Sequence, residues 1–146
     1  MPIPALARPR LVAAASLALL LLLGCGSAKP VTVTGKLILP GKVKVAESDS
    51  LSVVFVPEDS AKGKSGTATV NPQDLTFSGQ VLPGNYKVAV TVTPYAGMKD
   101  TDARTELLEK QMGAFSSTST SLRYEVTKEA SQSITVDLTK PSVTTP

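Results

Sequence analysis

Beyond residue 30 the chain alternates apolar and polar positions with a period of two, the pattern of strands that bury one face. Val31, Val33, Leu37 and Leu39 interleave with Thr32, Thr34, Lys36 and Ile38, and Val43 and Val45 interleave with Lys42 and Lys44. Leu51, Val53 and Phe55 share a face that Pro57 ends, and Thr67 to Val70 and Leu75 to Ser78 read as shorter strands. The cleanest strand has Tyr86, Val88, Val90 and Val92 on one face and Lys87, Ala89, Thr91 and Thr93 on the other. Leu122, Tyr124 and Val126 oppose Arg123, Glu125 and Thr127; Ile134, Val136 and Leu138 oppose Ser133, Thr135 and Asp137. Turn residues at Pro40-Gly41, Asn71-Pro72 and Pro83-Gly84 separate these runs. Seven or eight short strands of this kind predict an all-β antiparallel sandwich.

Two stretches leave the period of two. Asp102 to Met112 is rich in helix formers, with a cap at Thr101 or Asp102 and a Glu106–Lys110 pair at i,i+4. Ala103, Leu107, Leu108 and Met112 supply a narrow apolar face, and Gly113 follows as a stop. A short helix in a long connection is predicted, covering a sheet edge or an open end. The other stretch is the beginning of the chain. Arg8 and Arg10 precede Leu11 to Leu23, a run of 13 residues broken only by Ser16. As a helix it rises about 20 Å, short of a hydrocarbon core of about 30 Å, so it reads as a secretory signal peptide.

Leu22-Leu23-Gly24-Cys25 closes that run and resembles the lipobox of bacterial lipoproteins. Leu23 stands where Ala or Ser is more usual. The resemblance implies cleavage before Cys25, a diacylglyceryl group on its thiol and an acylated amine, a membrane anchor of two or more chains. Gly26, rather than Asp, after the cysteine implies the periplasmic face of the outer membrane over the inner membrane. The expected organisation is a signal peptide over 1–24, a lipidated tether over 25–30, a sandwich over 31–139 and a tail over 140–146.

Val33-Thr34-Gly35-Lys36-Leu37, Val53 to Glu58, Gly66 to Thr69 and Leu82-Pro83-Gly84-Asn85-Tyr86-Lys87-Val88 follow one another in a familiar order. Together they resemble the carboxypeptidase-regulatory-like or transthyretin-like (prealbumin-like, Ig-like) sandwich of small bacterial lipoproteins, over roughly residues 31 to 138. Pro83-Gly84-x-Tyr86-x-Val88 is the most specific piece: Pro sets φ, Gly supplies the turn, and Tyr86 opens an inward face. Two departures stand out. Asn71 to Phe77 replaces an Asp-Gly turn, and Lys42 to Ser50 looks like an insertion that lengthens the second hairpin.

Composition removes most chemistry. Over 146 residues the chain has one Cys and no His, so neither a Ser-His-Asp nor a Cys-His arrangement exists. The hydrolases of the transthyretin-like fold rely on His residues and a C-terminal Tyr-Arg-Gly-Ser that this chain lacks, so their activity is not carried over. The net charge of +3 includes Arg8 and Arg10; from Cys25 on, 13 basic residues face 12 acidic ones, with no basic stripe for nucleic acid. Gly63-Lys64-Ser65 resembles the end of a phosphate-binding loop, but Glu58 occupies the place of its first glycine.

The expectation is therefore a non-enzymatic, cofactor-free, lipid-anchored module, structural or protein-binding, with the membrane and envelope proteins as partners. The alternative is a module for glycan or calcium built from the loops around Glu58, Asp59 and Tyr95. Glu47, Asp49, Asp100 and Asp102 are further loop oxygens, and Phe115 a further aromatic.

Overall fold

The computed structural model describes residues 28–61, 63–97 and 99–146. Eight strands follow in chain order: β1 Val31–Ile38, β2 Ser50–Pro57, β3 Gly66–Val70, β4 Thr76–Val81, β5 Gly84–Thr93, β6 Arg123–Val126, β7 Ser131–Asp137 and β8 Ser142–Thr144. Among the described residues one α-helix, α1 Thr101–Met112, lies between β5 and β6 and runs into a 3-10 turn over Gly113–Phe115. The strands form one mixed sheet in the order β6-β5-β2-β3-β4-β1-β7-β8. The fold is all-β, as the alternation predicts. Its one parallel pairing joins β1 to β7, with Thr32 opposite Ser131 and Ile38 opposite Asp137.

The sheet curls so that its edge strands β6 and β8 approach each other around one interior. The inward positions are those the period of two selects: Val33 and Leu37, Val53 and Phe55, Ala68 and Val70, Tyr86 and Val88, Ile134 and Val136, all buried. Gln132, also buried, binds β6 to β7. Its Oε1 accepts from the Tyr124 hydroxyl at 2.9 Å and the Thr127 amide at 3.2 Å, while its Nε2 donates to the Thr127 carbonyl at 3.1 Å. Gly35 sits where β4 and β7 press on β1; a Cβ there would collide with the Ile134 carbonyl oxygen and come within 2.6 Å of the Phe77 ring.

Several local expectations change. Lys42 to Val45 is not a strand: the Val43 amide donates to the Pro40 carbonyl, and the chain turns away with Val43 tucked into the core. β1 and β2 do not pair, so the 42–50 segment crosses between strands instead of lengthening a hairpin. Leu75 precedes β4 with φ of 59°, rather than joining it. The predicted tail carries β8, which pairs with Thr135 to Asp137 of β7.

The helix buries Leu108 and Met112, while Ala103 and Leu107 face solvent. Its N-cap is Asp100, at φ 66° and without a side-chain cap bond, in place of Thr101 or Asp102. Gly113 keeps a right-handed helical conformation (φ −55°), and the chain becomes extended only at Ser116. The helix and the 3-10 turn both contact β5. Beyond them the Thr120 hydroxyl donates to the Val88 carbonyl at 2.6 Å, and the Val88 amide donates to Leu122 at 3.0 Å. The connection thus covers the stretch of β5 that four-residue β6 leaves unpaired.

Candidate functional site

Strand directions sort the loops into two ends. β1, β3, β5 and β7 run one way, and β2, β4 and β6 the other. Residues 28–30, 58–61 and 63–65, the Leu82–Pro83 turn and the 127–130 loop therefore share one end. The 39–49 connection, the 71–75 turn, residues 94–97 and 99–100 and the 138–141 turn share the other. An eight-residue strand such as β1 separates the ends by about 26 Å.

Glu58 and Asp59 lie at the first end. With Pro57, Gly63, Pro83, Gly84, Asn85 and Tyr86 they line a cleft of about 390 Å³. The Glu58 amide donates to the Asn85 carbonyl at 3.1 Å, and its carboxylate meets Arg123 Nε at 2.7 Å. Asp59 closes a local turn, its Oδ1 accepting from the Ala61 amide at 3.1 Å. Arg123 also donates from Nη1 to the carbonyls of Thr120 and Leu122, both at 3.0 Å. This guanidinium clamps the β6 edge, and Glu58 is its counter-ion. Both side chains are nearly half exposed (44% and 46%), so the pair contributes at most about 1 kcal/mol. Glu58→Gln is expected to lower unfolding stability by less than about 1 kcal/mol, read from urea titrations.

Tyr95 belongs to the second end. It is 57% exposed. Glu58 and Asp59 thus share a cleft, and Tyr95 stands at the far end of β2 and β5 from them. Phe115 is in the core and offers no platform. Among the described residues no group of three or more His, Cys, Asp or Glu could hold a metal ion. Gly63-Lys64-Ser65 leads into β3 and not into a helix. Leu22, Leu23, Gly24 and Cys25, with the whole predicted signal peptide, lie outside the described residues.

The second end holds two features that sequence reasoning missed. Asp49, placed among loop oxygens, is fully buried at its carboxylate. It takes Arg104 of α1 in a two-pronged contact, Nη1 to Oδ1 at 3.1 Å and Nη2 to Oδ2 at 2.6 Å. The amides of Ala46 and Tyr95 donate to the same carboxylate at 2.7 and 3.2 Å. The Arg104 hydrogen bonds, with those two amides, hold the Asp49 carboxyl below its ordinary value against the opposing effect of burial. The second feature is an open groove of about 860 Å³ between the 39–45 connection and the 72–75 turn. Its signal in the sequence was the basic and apolar run Lys36 to Val45, read there as strands.

Comparison of the chain with models of protein families, with curated proteins and with solved structures finds no match in any of the three.

Proposed function

We infer that this chain is an exported, lipid-anchored β-sandwich that serves as a non-enzymatic structural or protein-interaction module at the cell envelope. The observation that carries the reading is Leu22-Leu23-Gly24-Cys25 at the end of a basic and then apolar leader, only six residues before β1 begins at Val31. Those six residues span at most about 20 Å when fully extended, so an acylated Cys25 holds the first end of the sheet close to the membrane. The outer membrane's periplasmic face is the proposed address, from Gly26 after the cysteine. The likeness to carboxypeptidase-regulatory-like lipoproteins belongs to the same proposal, and the turn at Pro83-Gly84 leading into buried Tyr86 supports it.

A non-catalytic role fits a chain without His. It also fits the half-exposed Glu58–Arg123 pair and the structural use of Asp49. A glycan or calcium module has less to rest on, because Glu58 and Asp59 are an entire strand length from Tyr95. Cells fed radiolabelled palmitate are expected to label the wild-type chain and not Cys25→Ala. Equal labelling of both, or of neither, contradicts the lipid anchor.

A further inference from the structure

The groove at the second end combines an apolar floor with two lysines among its lining residues. Leu39, Val45 and Leu75 line it half-buried, and Ile38 is 37% exposed beside them. The charged residues lining it are Lys36 and Lys44, both exposed, and Lys42 is exposed on the same connection. No carboxylate lines it. Asp74, exposed between the lining residues Gln73 and Leu75, turns Oδ1 onto the Thr76 amide and hydroxyl at 2.9 and 2.7 Å and is also an electrostatic neighbour of Lys36. Glu47 is exposed farther along the connection, so the lysines are not the only charges beside the groove. Asp137, two residues beyond the lining Thr135, likewise turns Oδ1 onto the Thr139 amide and hydroxyl.

Leu75 adds a second observation. A leucine at φ 59° occupies the left-handed region, which residues other than glycine rarely adopt. Its amide donates to Asn71 and its carbonyl accepts from Leu37, each at 2.8 Å. The backbone is thereby held in a costly conformation that leaves an apolar side chain half-exposed on the groove wall.

We propose that this groove docks an extended, acidic segment of a partner protein that carries interspersed apolar side chains. Apolar residues of the segment cover Ile38, Leu39 and Leu75, and its carboxylates meet Lys36, Lys42 and Lys44. An open groove favours a polypeptide over a small molecule, which needs about 70–90% of its surface enclosed. The membrane is excluded as occupant by position, and this step rests on the lipid-anchor reading. The anchored end and the groove lie at opposite ends of β1, about 26 Å apart.

The test uses the full-length chain in detergent micelles and a fluorescein-labelled peptide of about ten residues alternating Glu and Leu, with a Lys-Leu peptide as control. The Glu-Leu peptide is expected to bind at least about tenfold more tightly than the control. Lys42→Glu with Lys44→Glu is expected to weaken it about tenfold while unfolding stability stays unchanged, and amide NMR shifts are expected to cluster at Ile38, Leu39 and Leu75. Equal binding of the two peptides, indifference to charge reversal, or shifts at the Glu58 cleft overturns the proposal. So does a change of oligomeric state in the double variant, which assigns the groove to a second copy, or tighter binding to phosphatidylglycerol vesicles than to the peptide. Peptide binding does not need the lipid. Binding with no palmitate label refutes the anchor alone, and label with no binding refutes the groove alone.

Discussion

Asp49→Ala is expected to destabilise the domain by about 3 kcal/mol, the lower end of the range for removing one partner of a buried ion pair. The lower end applies because Arg104 keeps 27% of its side chain in water, where it recovers part of its solvation. The loss has three parts: the two-pronged contact to Arg104, and the amides of Ala46 and Tyr95, which are left without their acceptor. Asp49 therefore fastens the 46–49 turn, the end of β5 and the start of α1 at once. Urea unfolding at neutral pH measures the change. The same carboxylate sets an acid dependence. Its folded value lies below the 3.8 of the free carboxyl, so its stabilisation is complete above about pH 4 and is lost as pH falls toward the folded value. Asp49→Asn is expected to flatten that part of the stability–pH curve.

Tyr86→Ala is expected to cost about 3–5 kcal/mol, a large share of the 5–15 kcal/mol typical of a domain. Tyr86 is buried and meets the edge of Phe55 with ring centroids 6.0 Å apart. Its hydroxyl donates to the Leu82 carbonyl at 2.8 Å, closing the turn that Pro83 and Gly84 make. Gly84 adopts φ of 154°, a conformation side chains rarely take, and this lets the chain reverse into β5 with Tyr86 already facing inward. Tyr86→Phe separates the contributions: the ring stays, only the hydrogen bond goes, and the expected loss is about 1 kcal/mol. Burial raises the phenol above its ordinary 10.0. The stability tied to its neutral form is therefore complete below about pH 10 and is lost as pH rises through the folded value.

Strand faces were readable because alternation depends on neighbouring residues alone. Val31, Val33, Val53, Phe55, Val88 and Ile134 face inward as the period of two requires. What escaped depends on residues far apart. Nothing near Asp49 announces Arg104, 55 positions later, so a buried ion pair passed for a loop acid. The parallel pairing of β1 with β7 joins segments about a hundred residues apart, and no local pattern encodes it. Val43 and Val45 show the converse failure. They alternate like a strand, but the Pro40 turn removes them from any partner strand, and the alternation serves one buried contact and one groove wall. The helix lost Ala103 and Leu107 from its apolar face because it lies along β5 and the following turn, where only Leu108 and Met112 reach the core. Glu58, Asp59 and Tyr95 were grouped by chemistry, and strand direction set them at opposite ends.

The proposed lipid on Cys25 would fix both where the chain sits and which end of the sheet faces the membrane. Intact mass spectrometry of the protein, extracted from its own membranes in detergent, tests it most directly. The expected mass is that of a chain beginning at Cys25 with a diacylglyceryl group and a third acyl chain added. A chain that keeps residues 1–24, or one that begins at any residue with an unmodified Cys25 thiol, would contradict it.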